Sequence, residues 1–115
     1  MDEERLVRFR ALLEDLRREL HTSLQTADDS TDPVSPDRAI GRLTRQDAML
    51  AQQMALELKR RNRIRLSQVE QALRRIDEGS YGLCARCEEQ ISVARLDVRP
   101  ETPFCVRCAG GATRR

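Results

Sequence analysis

The sequence CARCEEQISVARLDVRPETPFCVRC, residues 84–108, contains all four cysteines of the chain. They follow the pattern C-x2-C-x17-C-x2-C, in which two closely spaced pairs flank a longer spacer. A two-residue spacer lets one tight turn present both sulfurs to a metal, and Zn²⁺ favours a tetrahedron of such soft ligands. The spacing therefore predicts one structural zinc ion, bound by Cys84, Cys87, Cys105 and Cys108.

Three other roles for these thiols fit the sequence less well. A thioredoxin-like redox site needs one C-x-x-C within a βαβ setting, which this sequence lacks. The N-terminal sequence MDEERLVRFR begins with acidic residues and has no apolar signal region, so we expect a cytoplasmic location. Disulfides are rare in the cytoplasm. An iron–sulfur cluster can also use four thiolates, but the sequence shows no electron-transfer context. Zinc is the favoured interpretation.

The spacer between the two pairs predicts how they meet. The segment QISVARL, residues 90–96, has a β-branched and alternating character that favours a short hairpin strand. Such a hairpin would bring the second pair back against the first. Residues 81–115 are therefore expected to form a small, treble-knuckle-like four-cysteine zinc finger with a C-terminal tail.

Residues 1–80, which precede this module, have the pattern of a helical hairpin. A first helix is predicted over residues 3–25, because its apolar side chains recur every three or four residues and share one face. A loop follows at residues 26–36, TADDSTDPVSP, which is rich in turn-forming residues. A second helix is predicted over residues 37–78, with Gly79 suited to the left-handed residue after it. The stripe of the first helix consists of Leu6, Phe9, Leu13, Leu16, Leu20 and Leu24.

The short connection favours an antiparallel return of the second helix along the first. We expect the first helix to pair with roughly residues 37–61, and the apolar pattern to shift phase within one long helix at residues 57–66. The predicted fold class is mostly α: an antiparallel coiled-coil helical hairpin, followed by the zinc finger.

Composition excludes several classes of function. No run approaches eighteen apolar residues, so no membrane span is predicted. The formal net charge is only +2, and acidic residues interrupt the arginines, so direct sequence-specific binding of nucleic acid is not expected. The sequence has no catalytic fingerprint, and the single histidine, His21, has no partner pattern that would make it a base or a metal ligand. The chain is therefore not expected to be an enzyme.

The cysteine module resembles that of a known family. The sequence YGLCARCEEQISVARLDVRPETPFCVRC, preceded by VEQALRRIDEGS, is similar to the four-cysteine zinc finger of the DksA/TraR family. The shared features are the aromatic-Gly-x-Cys entry, the segment from Ile91 to ARL, Pro100 and the closing C-x-x-C. The resemblance implies a bacterial transcription regulator that inserts a coiled-coil hairpin into the secondary channel of RNA polymerase. Acidic residues at the hairpin tip would then act near the catalytic Mg²⁺ region.

The resemblance also points to the tip residues. Well-known members carry Asp-x-x-Asp-x-Ala at the tip, and here residues 32–39 are DPVSPDRA. Asp37 and Ala39 match the second half of that motif, whereas Asp32 matches the first Asp only across a two-residue insertion. The implied contacts with the polymerase are therefore Asp32, Asp37 and Ala39.

Five basic residues lie close together in the sequence between positions 59 and 65. The basic residues would contact an acidic rim of the polymerase or a nucleotide effector, or form an ordinary solvated face. Alternatively, the chain is a non-catalytic coiled-coil adaptor or a weakly self-associating structural protein with a zinc clip, whose seam a partner completes. The basic contact candidates are Lys59, Arg60, Arg61, Arg63 and Arg65.

Overall fold

The computed structural model describes residues 1–30 and 44–112, and within them the chain folds into four helices. These are α1 (Glu3–Ser30), α2 (Thr44–Glu78), α3 (Val93–Val98) and α4 (Val106–Ala112). Extended pairing in this part of the chain is limited to one isolated antiparallel bridge, Leu83 with Gln90. None of these helices offers an apolar stretch that could cross a bilayer. The fold is mostly helical, which confirms the predicted class.

The two long helices form an antiparallel hairpin. An ion pair of 2.6 Å between Arg10 and Asp77 sets the start of α1 beside the end of α2. Apolar residues at helical spacing face each other across the seam, and burying them supplies the main stabilising free energy. The buried residues of the seam are Phe9, Leu13 and Leu20 from α1 and Val69 and Ala72 from α2.

The first helix is longer than its sequence predicts. The predicted loop at residues 26–36 is wrong for residues 26–30, because α1 continues to Ser30. Thr, Asp and Ser lower helix propensity by less than about 1 kcal/mol each, and the first proline of this region comes only at residue 33. The rest of the predicted loop and the predicted start of the second helix lie outside the described residues.

The register of the hairpin also differs from the prediction. Both helices rise equally per residue, so the Arg10–Asp77 pair places Ser30 level with about residue 57 of α2. The expected pairing of the first helix with residues 37–61 is therefore wrong, since the described part of α1 packs mainly on the later turns of α2. An apolar stripe alone does not distinguish these registers. Its residues recur about every two turns, so they still face the partner helix after one helix slides by two turns.

The end of α2 turns sharply into the zinc-finger module. Gly79 has a φ of 81°, and the backbone N–H of Ser80 donates to the carbonyl of Arg75 at 2.9 Å. This left-handed residue after the helix confirms the role predicted for Gly79. A side chain at Gly79 would be strained there, because L residues rarely adopt that φ.

Residues 90–96 contain a helix start in place of the predicted strand. Ser92 is the N-cap of α3, and its hydroxyl accepts a hydrogen bond of 3.2 Å from the backbone N–H of Arg95. Leu96, which belongs to α3, is completely buried. The strand prediction is wrong because a capping serine and a helical burial pattern outweigh the β-branched residues Ile91 and Val93.

Replacing Ser92 with alanine is expected to weaken the zinc finger modestly. Loss of an N-cap costs about 1 kcal/mol, and folding of such modules is coupled to metal binding. A chelator competition should therefore show a zinc affinity about fivefold lower than wild type. Ser67→Ala, at an exposed position within α2, is the matched control and should leave the affinity unchanged. Equal affinities for both variants would show that the cap contributes nothing.

Candidate metal centre

The four cysteine sulfurs converge on one point. All four Sγ atoms lie within 4.8 Å of one another, and the Sγ atoms of Cys87 and Cys105 are 3.8 Å apart. Four sulfurs arranged tetrahedrally around Zn²⁺ at about 2.3 Å would be about 3.8 Å apart, whereas a disulfide needs about 2.05 Å. The donor set and its spacing therefore fit one zinc ion and do not fit disulfides.

Each C-x-x-C turn points backbone N–H groups at its own first sulfur. The N–H of Arg86 approaches Cys84 Sγ at 3.4 Å, and the N–H of Cys108 approaches Cys105 Sγ at the same distance. The first turn closes with a 3.0 Å hydrogen bond from the N–H of Glu88, whose φ is 63°, to the carbonyl of Cys84. The N–H groups of Arg86 and Cys108 stabilise negative charge on the sulfurs that they approach, and the thiolate is the form that binds metal.

The thiols differ in how readily they ionise. Burial of Cys84 opposes ionisation, but backbone hydrogen bonds from Cys87, Cys105 and Arg86 outweigh it and lower its pKa to about 5. A backbone hydrogen bond from Cys108 likewise lowers the pKa of Cys105. Burial raises the pKa of Cys108 to about 12. Because zinc binds thiolates, metal binding must release at least the proton that Cys108 retains.

Backbone contacts join the two C-x-x-C turns. The N–H of Ala85 donates to the carbonyl of Pro103 at 2.8 Å, which ties the first turn to the segment that leads into the second. From α3, Arg95 Nε donates to the carbonyl of Phe104 at 3.1 Å. These contacts hold the two cysteine pairs next to each other. The spacer that joins the pairs contains α3.

The metal module is packed directly against the base of the hairpin. The rings of Phe9 and Tyr81 lie 5.7 Å apart between centroids, and the Tyr81 hydroxyl donates to the carbonyl of Pro100 at 2.8 Å. Burial, with a contribution from Glu101, raises the pKa of Tyr81. Arg8 also pairs with Asp97 of α3 at 2.7 Å. The hairpin and the zinc finger therefore share one core.

A buried carboxylate forms a second link between α2 and the module. Glu101 is only 1% exposed, and its Oε2 accepts a hydrogen bond of 2.9 Å from Arg65, with Arg99 at 3.8 Å. Its Oε1 is buried and has no partner among the described residues, and Glu101 also lines a cavity of about 70 Å³. Sequence analysis missed this pair, because a glutamate after a proline has the pattern of a solvated loop residue.

The basic stretch does not form one surface. An α-helix spreads positions 59 to 65 around its whole circumference. Hydrogen bonding from Arg60 lowers the pKa of Glu57 to about 2, and Glu57 also pairs with Arg61. Arg65 forms an ion pair with Glu101. At least three of the five candidates therefore already form ion pairs with carboxylates of the chain itself. Arg63 is exposed, and Lys59 is half-buried and engaged within the chain.

Asp32, Asp37 and Ala39 lie outside the described residues, so their arrangement stays a prediction. His21 is exposed on α1, far in sequence from the cysteines. Among the described residues, the four cysteines are the group whose ligand atoms converge as a metal site requires.

Known proteins resemble this chain both in the cysteine module and along most of its length. Residues 79–114 match the family model described as a prokaryotic dksA/traR C4-type zinc finger. The RNA polymerase-binding transcription factor DksA of Escherichia coli K12 is 30% identical over 111 residues, covering 94% of this chain and 71% of that protein. The chain belongs to the DksA/TraR family. Its four cysteines thus form the C4-type zinc finger of that family, positioned to bind one zinc ion.

Solved structures of DksA-type proteins extend the match to the whole fold. Transcription factor DksA2 from Pseudomonas aeruginosa superposes with a TM-score of 0.74 at 27% identity, covering 100% of this chain and 88% of that one. The DnaK suppressor protein from Agrobacterium tumefaciens C58 gives a TM-score of 0.62 at 30% identity, covering 96% and 94%. The hairpin and the zinc finger are therefore arranged here as in the DksA/TraR fold.

Proposed function

We propose that this chain is an RNA polymerase-binding transcription factor that acts through its helical hairpin. The observation that carries the proposal is the relationship over 94% of the chain to a protein named for that activity. On this proposal, the hairpin enters the secondary channel of the polymerase, and the protein works in the cytoplasm.

The architecture supports such a role in two ways. The 35 residues of α2 span about 52 Å, a length suited to reaching into a narrow channel. Phe9, Tyr81 and Leu96 belong to one core, which fixes the base of the hairpin to the zinc finger. A long element that must act at its far end needs a rigid base.

The proposed role is not catalytic. A zinc ion held by four thiolates has no open coordination position for water or substrate. The metal would therefore hold the fold together, and the residues that act on the polymerase would be the carboxylates Asp32 and Asp37 with Ala39. Carboxylate oxygens can influence Mg²⁺-bound water or basic side chains of the polymerase.

Removing both tip carboxylates tests the proposal. The wild-type chain should co-purify with core RNA polymerase and change the lifetime of promoter open complexes. Hydrogen bonds to charged groups contribute about 1.5–3 kcal/mol each, so Asp32→Ala with Asp37→Ala should reduce the effect on lifetime at least about tenfold. Co-purification of this variant with core RNA polymerase should remain detectable.

A charge-matched control separates the tip from general acidity. Asp28→Ala with Asp29→Ala removes two carboxylates from the last turn of α1, outside the segment DPVSPDRA, and should leave the lifetime effect intact. If the wild-type chain fails to bind polymerase, the proposed function is wrong. If it binds and the Asp32/Asp37 variant acts like wild type, the tip mechanism is wrong while the function stands.

A further inference from the structure

We propose that the backbone edge at Gln90 of the zinc finger binds an extended segment of a protein partner as an added β-strand. The segment carries acidic and apolar side chains in alternation. A contact of this size buries well below about 1,200 Å², which is the range of weak, transient complexes. The proposal does not rest on polymerase binding, because the edge lies on the zinc finger and its test needs only a short peptide.

The bridge between Leu83 and Gln90 determines where their backbone groups point. Two backbone hydrogen bonds flank the bridge and hold the two segments together. They run from the N–H of Cys84 to the carbonyl of Glu89 at 2.8 Å, and from the N–H of Ile91 to the carbonyl of Gly82 at 2.7 Å. In an antiparallel pair of this pattern, the N–H and C=O of the two bridged residues point away from each other. Leu83 and Gln90 therefore each form an outward edge.

The two outward edges differ in what covers them. The N–H of Leu83 donates to the carbonyl of Ser80 at 3.3 Å, and its carbonyl accepts a hydrogen bond of 3.0 Å from Arg75. Gln90 is exposed, and its N–H and C=O form no hydrogen bond with the described residues. An uncovered strand edge is a template on which another extended chain can pair. The edge at Gln90 is therefore the one that is open to a partner.

Two grooves flank the open edge. The first groove, of about 390 Å³, lies towards the start of α1 and is lined by Arg5, Leu83 and Val93 among others. The second groove, of about 340 Å³, lies towards the second cysteine pair and is lined by Val106 among others. Gln90 lines both grooves. Because successive side chains of an extended peptide point to opposite sides, they would enter the two grooves in turn.

The first groove favours an acidic side chain. Among the described residues that line it, Arg5 is the charged one. Arg5 is exposed and forms no ion pair with the described residues. The neighbouring carboxylate of Asp2 instead accepts a hydrogen bond of 2.8 Å from the backbone N–H of Arg5. The guanidinium of Arg5 is therefore available to a carboxylate of the partner.

The second groove favours an apolar side chain. Val106 is 66% exposed there, so a partner side chain that covers it removes apolar surface from water. The charges that line this groove oppose one another, since Glu89 and the metal-binding Cys105 lie with Arg95 and Arg107. Acidic side chains on one side and apolar side chains on the other match the two grooves.

Neither segment outside the described residues suits this edge. Residues 31–43 join Ser30 to Thr44 far along the hairpin, so reaching the zinc finger and returning would take about 80 Å of chain. A connection of this length spans at most about 50 Å. Residues 113–115 read TRR and would bring further positive charge towards Arg5. The edge and its grooves therefore favour a segment of another protein.

A synthetic peptide tests the added strand directly. The probe is N-acetylated, C-amidated Glu-Val-Glu-Val-Glu, titrated to millimolar concentration into the zinc-loaded, isotope-labelled chain and followed by NMR. On binding, we expect the backbone N–H resonance of Gln90 to shift and its hydrogen exchange to slow several-fold. The same peptide with methylated backbone nitrogens keeps its side chains but cannot donate hydrogen bonds, so it should not bind.

Gln90→Pro removes the outward N–H of the edge and leaves the N–H of Ile91 and the carbonyl of Glu89 that hold the bridge. Proline is tolerated in an edge strand where the missing N–H faces solvent. Zinc content should therefore match wild type, while peptide affinity falls about tenfold or more. Gln90→Ala keeps the backbone donor, so it is the matched control and should bind the peptide as wild type does.

The acidic preference is tested separately. Arg5→Ala keeps the backbone N–H that bonds Asp2, and it should weaken binding of the Glu-Val-Glu-Val-Glu peptide several-fold. The wild-type chain should bind Lys-Val-Lys-Val-Lys more weakly than the acidic peptide. Equal affinities for the two peptides would overturn the acidic preference.

Several results would overturn the added strand itself. They are a wild-type chain that does not bind the acidic peptide, a zinc-loaded Gln90→Pro variant that binds it normally, and full binding of the methylated peptide. The methylated peptide decides the matter on the wild-type chain even if Gln90→Pro fails to fold. If the wild-type chain dimerises in sedimentation and Gln90→Pro does not, the edge pairs with a second copy and the proposed partner is wrong.

Discussion

Replacing Cys84 with serine should unfold the zinc finger and loosen the base of the hairpin. Structural zinc contributes about 10–16 kcal/mol to the folding of zinc-finger peptides, so the share of one ligand in four predicts a zinc affinity about a hundredfold to a thousandfold lower. The effect should spread because Tyr81, Ile91 and Leu96 belong to the same core as Phe9 of α1.

The single tyrosine makes this result easy to follow. The chain has one Tyr and no Trp, so near-ultraviolet signals of Tyr81 report directly on the buried junction of α1 and the module. Cys84→Ser should lose bound zinc and the signal of ordered Tyr81, while far-ultraviolet circular dichroism retains much of the helix from α1 and α2. A chelator added to wild type should produce the same changes.

Arg86→Ser provides the matched control for Cys84→Ser. It introduces the same residue into the same C-x-x-C turn, at an exposed side chain, and keeps the backbone N–H that approaches Cys84 Sγ. We expect one zinc per chain and wild-type melting for this variant. Wild-type zinc affinity in Cys84→Ser would mean that the site does not depend on this sulfur.

The metal site is the part that the sequence predicts best, because its geometry is local. Two residues between cysteines bring both sulfurs of a pair to one side of a turn, whatever the rest of the chain does. The folded chain adds the contacts that bring the two pairs together, such as Ala85 with Pro103 and Arg95 with Phe104. Those contacts join residues up to eighteen positions apart, so spacing alone does not show them.

The existence of the two long helices, the start of α1 and the end of α2 were predictable, but the end of α1 and the register were not. Apolar residues every three or four positions specify a helix and its buried face, yet the stripe of α1 fits several registers along α2. The register is decided by long-range contacts at the base, where Arg10 meets Asp77 and Phe9 meets Tyr81. Likewise, Ser92 carries a helix-start signal that is read correctly only once Leu96 is known to be buried.

The buried Glu101 illustrates a different limit. Its Arg65 partner lies 36 residues away on α2, and a lone glutamate in a turn gives no sequence signal of burial. Burial of a carboxylate is unfavourable unless it is paired, so such a residue is usually expected at the surface. Only the packing of the module against α2 makes this pair possible.

Replacing Phe9 with alanine should destabilise the whole molecule. Phe9 is completely buried, its ring packs against Tyr81, and the guanidinium of Arg8 lies 4.9 Å from its ring centroid. Truncating a buried phenylalanine costs about 3–5 kcal/mol, which corresponds to a melting temperature lowered by about 10–20 °C in a domain of this size. Because Phe9 joins α1 to the module, zinc affinity should fall as well.

The control for Phe9→Ala lies two residues away on the same helix. Val7 is 65% exposed, so Val7→Ala should change the free energy of unfolding by less than about 0.5 kcal/mol and leave zinc affinity unchanged. If Phe9→Ala melts at a lower temperature but binds zinc as tightly as Val7→Ala, the hairpin and the zinc finger fold independently. If both properties fall together, the hairpin base and the metal site are one cooperative unit, because one ring on α1 then sets the stability of a site whose ligands begin 75 residues later.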